Sequence, residues 1–289
     1  MRLAIGISLV ILVVSGCMIT PRVEGDTIEV DAPSSVHRAF LMEQSFFDRA
    51  YADVSGSREK SAVRGGIVPH HLLASHLIAE FFSRLELSQD PSVVVVIGPN
   101  HREIGTDGIL ISEAAWETPY GRLQPYTEGI SSLIQRGVVQ ADERVFVAEH
   151  SISAEVSFIK KSFPEAQVLP IVLMSRATEA DLVALASALH EVLPKDALVL
   201  ASVDFAHYVS SEEADTLDAK SRETLVSFDV EGLASMAVDS PASIYVLMRY
   251  LTARNAQKPV ILENSNSAKV IGDLTISEVT SYFTMYFLN

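Results

Sequence analysis

The sequence predicts an α/β fold, a three-layer α/β/α sandwich with a mostly parallel central sheet, and three observations predict it. Apolar runs at Val93–Ile97, Val168–Met174 and Ala197–Val203 carry no polar alternation, the pattern of strands buried on both faces. Between them lie segments with apolar residues at helical spacing, so strands and helices alternate along the chain. Several runs break off at turn residues followed by histidine or aspartate, which places polar groups at the carboxyl edge of such a sheet, where doubly wound proteins bind ligands. With 289 residues, 48% of them hydrophobic, the chain can bury a substantial core. Element signals follow one another without a long linker from residue 36 onward, which favours one domain over residues 36–289.

Residues 1–16 read as a signal peptide. Arg2 is a short positive n-region, Leu3 to Val14 an apolar h-region, and Val14-Ser15-Gly16-Cys17 closes it with small residues before a cysteine. This pattern resembles a bacterial lipoprotein signal with its lipobox, which implies lipidation at Cys17 and an extracytoplasmic place on the bacterial cell envelope. A plain signal anchor or an ordinary cleaved signal is the alternative, although so short an apolar stretch is marginal as a spanning helix. Residues 17–35 then read as a polar tether.

Gly65 to Val68 form a short strand ending at Pro69-His70, and Leu73, Leu77, Phe81 and Leu85 recur on one face of the helix that follows. Pro91-Ser92 introduces the Val93–Ile97 strand, which stops at Gly98-Pro99-Asn100 with His101 at the tip. The apolar run Val145-Phe146-Val147 is expected as another strand before Glu149-His150. A helix carrying Val156, Ile159 and Phe163 follows and ends at Pro164. After the Val168–Met174 strand, Thr178-x-x-Asp181 has the form of a capping box opening a helix with Leu182, Leu185, Leu189 and Val192. The Ala197–Val203 strand ends at Asp204, and Ser210-x-x-Glu213 opens the next helix. Helical patterns continue to about Arg254. Strands near Pro259–Leu262 and Thr275–Phe287 close the chain, the last as an antiparallel edge or return strand.

Four histidines thus stand at the ends of apolar runs: His70, His101, His150 and His207. A core gains nothing from clustering imidazoles whose nitrogens must each be satisfied, so the cluster points to metal or acid/base chemistry. His37, His71, His76 and His190 read as hydrogen-bonded or solvated: His37 in the leader to the domain, His76 and His190 inside helices, and His71 pointing away from its neighbour His70. Cys17 is the only cysteine, which excludes a disulfide, a cysteine zinc site and a thiol nucleophile in the folded body. Any metal must be held by His, Asp or Glu. A net charge of −15 disfavours nucleic acid and anionic headgroups as partners, leaving the anchor as the membrane contact and a small molecule as the substrate. No Gly-x-Ser-x-Gly elbow supports serine nucleophile chemistry.

Pro69-His70, Gly98-Pro99-Asn100-His101, Glu149-His150-Ser151 and Asp204-Phe205-Ala206-His207-Tyr208 together resemble, in order and spacing, the signatures of the Memo-like family. That family includes the B protein of the AmmeMemoRadiSam system and is similar in fold to class III extradiol ring-cleaving dioxygenases. The resemblance implies that His70 and His101 are metal ligands, with a third from a cysteine in a Cys-Gly-x-x-Pro-Ile segment. The matching stretch here is Asp239-Ser240-Pro241-Ala242-Ser243-Ile244, so Asp239 stands in the cysteine's place. Two histidines and a carboxylate form the facial set that suits non-haem Fe(II), while Zn and Cu also accept such donors. The alternative is that Asp239 merely caps the helix beginning near Pro241.

By the same resemblance His150, Asp204 and His207 form an acid/base layer around the metal, a histidine taking a phenolic proton and Asp204 orienting it. Two further departures are Ser153 where the family commonly has Glu, with Glu155 further on, and His71-Leu72 in place of Ala-Gly, where Leu72 is expected to narrow the pocket. The leading expectation is a lipid-anchored metalloprotein acting as an iron-dependent oxidoreductase or dioxygenase on a small aromatic substrate. The alternatives are a non-catalytic metal- or ligand-binding module of the same fold and a zinc-dependent hydrolase.

Overall fold

The computed structural model describes residues 36–52, 54 and 61–289; the expected signal peptide, Cys17 and the tether lie outside the described residues. The strands are β1 (Val36–Arg38), β2 (Val63–Val68), β3 (Val93–Pro99), β4 (Ile109–Ile111), β5 (Ala115–Thr118), β6 (Gly121–Pro125), β7 (Gln140–Ala141), β8 (Gln167–Leu173), β9 (Leu198–Ser202), β10 (His207–Val209), β11 (Lys258–Asn266) and β12 (Val279–Leu288). The helices are α1 (Gln44–Ala52), α2 (Ser75–Glu86), α3 (Thr127–Gln135), α4 (Glu143–Phe146), α5 (His150–Ser153), α6 (Val156–Ser162), α7 (Glu179–Val192), α8 (Ser211–Val226), α9 (Pro241–Ala253) and α10 (Ser267–Ile271). None of the described helices is long and apolar enough to cross a membrane.

The strands join one sheet whose main path runs β1-β5-β6-β8-β3-β9-β2-β12-β10. Its centre, β6-β8-β3-β9-β2, is parallel throughout, so the carboxyl ends of β3, β9 and β2 lie side by side along one edge. Alternate residues of the valine-rich β3 feed opposite cores. Val93, Val95 and Ile97 pack with Leu185, Leu189, Val246 and Leu247 on one face, while Val94 and Val96 pack with Ile78, Phe82, Val156 and Phe158 on the other. Burial on both faces is why β3 has no polar alternation. The α/β/α sandwich with a mostly parallel sheet is therefore the observed architecture.

Three expected elements differ. Val145-Phe146-Val147 is no strand: Val145 and Phe146 lie in the short helix α4, whose first turn is capped by the Asp142 side chain accepting from Arg144 N–H at 3.2 Å. A three-residue apolar run has too little period to separate strand from helix, and here the cap decides. Val147 is left exposed. His37 is not in a leader but in β1, buried, 2.6 Å from Glu143 Oε2 and packed against the Trp116 ring. The last strand is antiparallel as expected, but it is interior, with β2, β10 and β11 all paired to it.

Candidate metal centre

His70, His101 and Asp204 each stand two residues beyond the end of their strands, β2, β3 and β9. Because those strands are parallel neighbours, the three loops open on the same edge. His150 arrives differently, at the start of α5. Glu149 caps α5, its Oε1 accepting from Ser151 N–H at 2.8 Å, and Ser151 Oγ donates to Pro99 O at 2.9 Å, fastening α5 onto the end of β3. Gly98 permits that approach: a Cβ there would lie 2.5 Å from Ser151 Oγ and 2.6 Å from its Cβ. Asp239 precedes α9 and is tied to the β9 loop by two bonds, Asp239 N–H to Asp204 O (3.0 Å) and Asp204 N–H to Asp239 Oδ2 (3.1 Å).

The helix cap of α9 settles what Asp239 does not do. Ser240 is the cap, its side chain accepting from Ser243 N–H at 3.2 Å, with Pro241 at the first helical position. The Asp239 carboxylate is thereby released from capping and turns to the histidines, with Oδ2 3.3 Å from His70 Nε2 and 3.9 Å from His101 Nε2. Its second oxygen, Oδ1, is buried with no hydrogen-bond partner, which costs free energy unless something not made of protein satisfies it. Donors held about 2.1 Å from one metal ion lie about 3 to 3.5 Å apart when adjacent. The His70–Asp239 spacing already has that value and the His101 spacing is slightly wider. The His70 and Asp239 donors therefore fit a divalent metal, whereas neither described set that closes within 4.8 Å joins His101 to Asp239.

Neighbouring groups orient both imidazoles. Glu149 accepts from the His101 backbone N–H at 2.8 Å and meets its Nδ1 at 2.8 Å. A carboxylate only accepts, so Nδ1 carries a proton and Nε2 is the nitrogen left to face a ligand. For His70, Ser202 Oγ donates to Ser151 O at 2.6 Å and so meets His70 Nδ1, 3.3 Å away, as an acceptor. His70 Nε2 faces the two aspartates, with Asp204 Oδ2 at 3.5 Å. Sequence reasoning did not assign Glu149 or Ser202 to the site. The Glu-His dipeptide carried a signal for Glu149, but nothing in the sequence announces that it caps α5 and holds His101 together.

Charge follows the geometry. Burial pushes His70 down, but Asp204 and Asp239 beside it outweigh burial and lift it to about 10. Burial raises Glu149, yet its bonds from His101 and Ser151 bring it down to about 2, a fixed anion. Burial, then the adjacent His70 and His101, depress His150 to about 4. Beneath the cluster, burial holds the fully enclosed Glu155 well above the usual carboxylate range.

Five of the six expected site residues converge: His70, His101, His150, Asp204 and Asp239. The ring centroids of His70, His101 and His150 stand 5.0, 5.0 and 4.2 Å apart, the last pair stacked. Two sets, His70/His101/His150 and His70/Asp204/Asp239, each place candidate ligand atoms within 4.8 Å of one another. His207 stands on β10, paired with Thr280 of β12, and belongs to neither set. His71 points the other way from His70, as expected, to the Tyr282 hydroxyl at 2.7 Å. Leu72 packs against the hydrophobic core on one face of the sheet. A cavity of about 500 Å³ opens beside His101 and Asp239, between Asn100, Glu103, Met174 and Pro241. It has room for a small ring compound.

A doubly wound α/β body with a histidine–carboxylate cluster at its switch edge defines an α/β protein with a candidate metal centre. Comparison with known proteins makes this specific. The family model described as Memo-like protein matches residues 42–286, and the chain belongs to the Memo-like family. A MEMO1 family protein of Ignicoccus hospitalis is 28% identical over 283 residues, covering 92% of this chain and 97% of that protein. One of Aquifex aeolicus is 30% identical over 241 residues, covering 80% and 88%. Among solved structures, uncharacterized protein JW3007 from Escherichia coli K12 aligns with a TM-score of 0.50 at 12% identity. It covers 78% of this chain and 100% of that one, and supports the fold alone.

Proposed function

We propose that the protein is a metal-dependent oxidoreductase of the dioxygenase-like kind, binding Fe(II) through His70, His101 and Asp239 and acting on a small aromatic substrate. The observation that carries this reading is the approach of Asp239 Oδ2 to both imidazole Nε2 atoms, with its other oxygen buried and unmatched. A bound Fe(II) supplies redox chemistry and open coordination positions for substrate and O₂. The chain supplies the rest. Glu149 and Ser202 orient the imidazoles, and the cavity beside His101 has room for a ring-sized substrate. Proton transfer is assigned to the expected acid/base layer of His150, Asp204 and His207, of which His150 and Asp204 lie in the cluster and His207 stands on β10.

The same reading extends to place. Lipidation at Cys17 tethers the body outside the cytoplasm on the bacterial cell envelope, supported by the Arg2, Leu3–Val14 and Val14-Ser15-Gly16-Cys17 pattern. The three-imidazole set favours one second reading, a zinc-dependent hydrolase, since such sets also suit Zn.

Metal analysis of protein purified without oxygen, followed by O₂ uptake with a panel of catechols, tests the proposal. Iron with uptake is the expected result. Zinc without uptake gives way to the hydrolase, and bound metal with neither activity leaves a binding module.

A further inference from the structure

We infer that His150 is itself a metal ligand, so that the centre is a four-donor set of His70, His101, His150 and Asp239. The inference rests on the metal reading above and replaces a free acid/base role for His150. One nitrogen from each of the three imidazoles lies within 4.8 Å of the other two, an arrangement a single ion can close with small side-chain rotations.

The His150 ring is placed yet uncommitted. Its backbone is fixed at the start of α5 by the Glu149 cap and the Ser151–Pro99 bond. Its ring is held between His101, stacked at 4.2 Å, and Phe40, at 6.2 Å. The Phe40 backbone is in turn fixed by its N–H donating to Ser153 O at 2.8 Å. Glu149 Oε1 is 3.6 Å from His150 Nδ1, too far for a hydrogen bond, because that oxygen already serves His101 Nδ1 and Ser151 N–H. Asp204 also borders His70: its Oδ1 accepts the His70 backbone N–H at 3.3 Å and its Oδ2 stands 3.5 Å from His70 Nε2, in the set that leaves out His101 and His150.

Donor chemistry allows the addition. With Asp239 as a carboxylate ligand, two imidazoles and one oxygen already form a competent facial set, and His150 would add to it without changing its donor class. A third imidazole gives a borderline N₃O set suited to Fe(II), Zn(II) or Cu(II) rather than to soft Cu(I).

The test uses metal alone. Cu(II) is added to one equivalent of metal-free protein and coordinated imidazoles are counted by pulsed EPR; Zn(II) affinity is measured in parallel. Wild type should show three imidazoles. His150→Ala and His150→Phe should each show two, the second keeping a flat ring against His101 so that lost packing cannot explain the change. Removing even an outer partner of a ligand costs about 10- to 100-fold in affinity, so Zn(II) binding should weaken at least about ten-fold in both. His190→Ala, on the exposed side of α7, should match wild type. Two imidazoles in wild type, with affinity unchanged in both His150 variants, would overturn the inference. A wild type that binds neither ion at one equivalent would instead remove the metal reading itself, a separate and recognisable failure.

Discussion

At the scale of single residues, the site is a set of hydrogen bonds that decide which nitrogen faces the candidate metal position. Glu149 is the most consequential of these, because one carboxylate caps α5 and meets both the backbone and the ring of His101. Glu149→Gln keeps the volume but lets an amide donor face Nδ1. Metal affinity should fall about 10- to 100-fold, measured by calorimetric titration, with the fold retained. His70 gives a pH dependence. Lifted from 6.5 to about 10 in the metal-free protein, its cation contributes stability that is complete below 6.5 and lost as pH rises through about 10. Metal must displace that proton, so apparent affinity should climb with pH across the same window. Thermal melts of metal-free and metal-loaded protein from pH 6 to 10 should therefore diverge as pH rises, and parallel curves would contradict the assignment. The histidines were legible one by one, since each follows an apolar run or an apolar turn of helix. Their partners were not, because Ser202 and Glu149 meet His70 and His101 across more than forty residues of sequence, through pairings that only the sheet creates.

At the scale of elements, the site depends on how closely α5 can lie on β3. Gly98 is the contact point, and Gly98→Ala should force Ser151 away and with it both Glu149 and His150. Overpacking of this kind costs about 1 to 3 kcal/mol, so the urea midpoint should drop and metal affinity should fall together. A stable variant with intact metal binding would show that α5 adjusts freely. The buried strands and capped helices were readable because they obey local rules: β3, β8 and β9 have uninterrupted apolar runs, and Thr178 and Ser210 cap α7 and α8 as their spacing implies. The misreadings came from elements too short for periodicity. α4 is four residues long and set by Asp142, and β1 is three residues long and held by a contact between His37 and Glu143 that spans 106 positions. The interior place of β12 was likewise invisible, since pairing with β2, β10 and β11 is a property of topology rather than of the strand's own residues.

At the scale of the whole molecule, the sheet brings three loops to one edge and the two cores fix that edge rigidly, so residues far apart in sequence behave as one centre. The acidic surface and the Cys17 motif place that centre, on our proposal, on an envelope membrane without direct lipid contact by the folded body. Full-length protein should fractionate with membranes, and Cys17→Ser should release it or leave its signal uncleaved; an unmodified Cys17 by intact-mass analysis of the native protein would remove the anchor. The central claim is the metal centre, and its most direct measurement is metal content per chain after purification without oxygen for wild type, His101→Ala, Asp239→Asn and His207→Ala. The account predicts about one metal ion per chain in wild type and His207→Ala, with any O₂-dependent turnover falling about 10²- to 10⁴-fold in the latter, and little metal in His101→Ala and Asp239→Asn. Wild-type metal content in both His101→Ala and Asp239→Asn would contradict it.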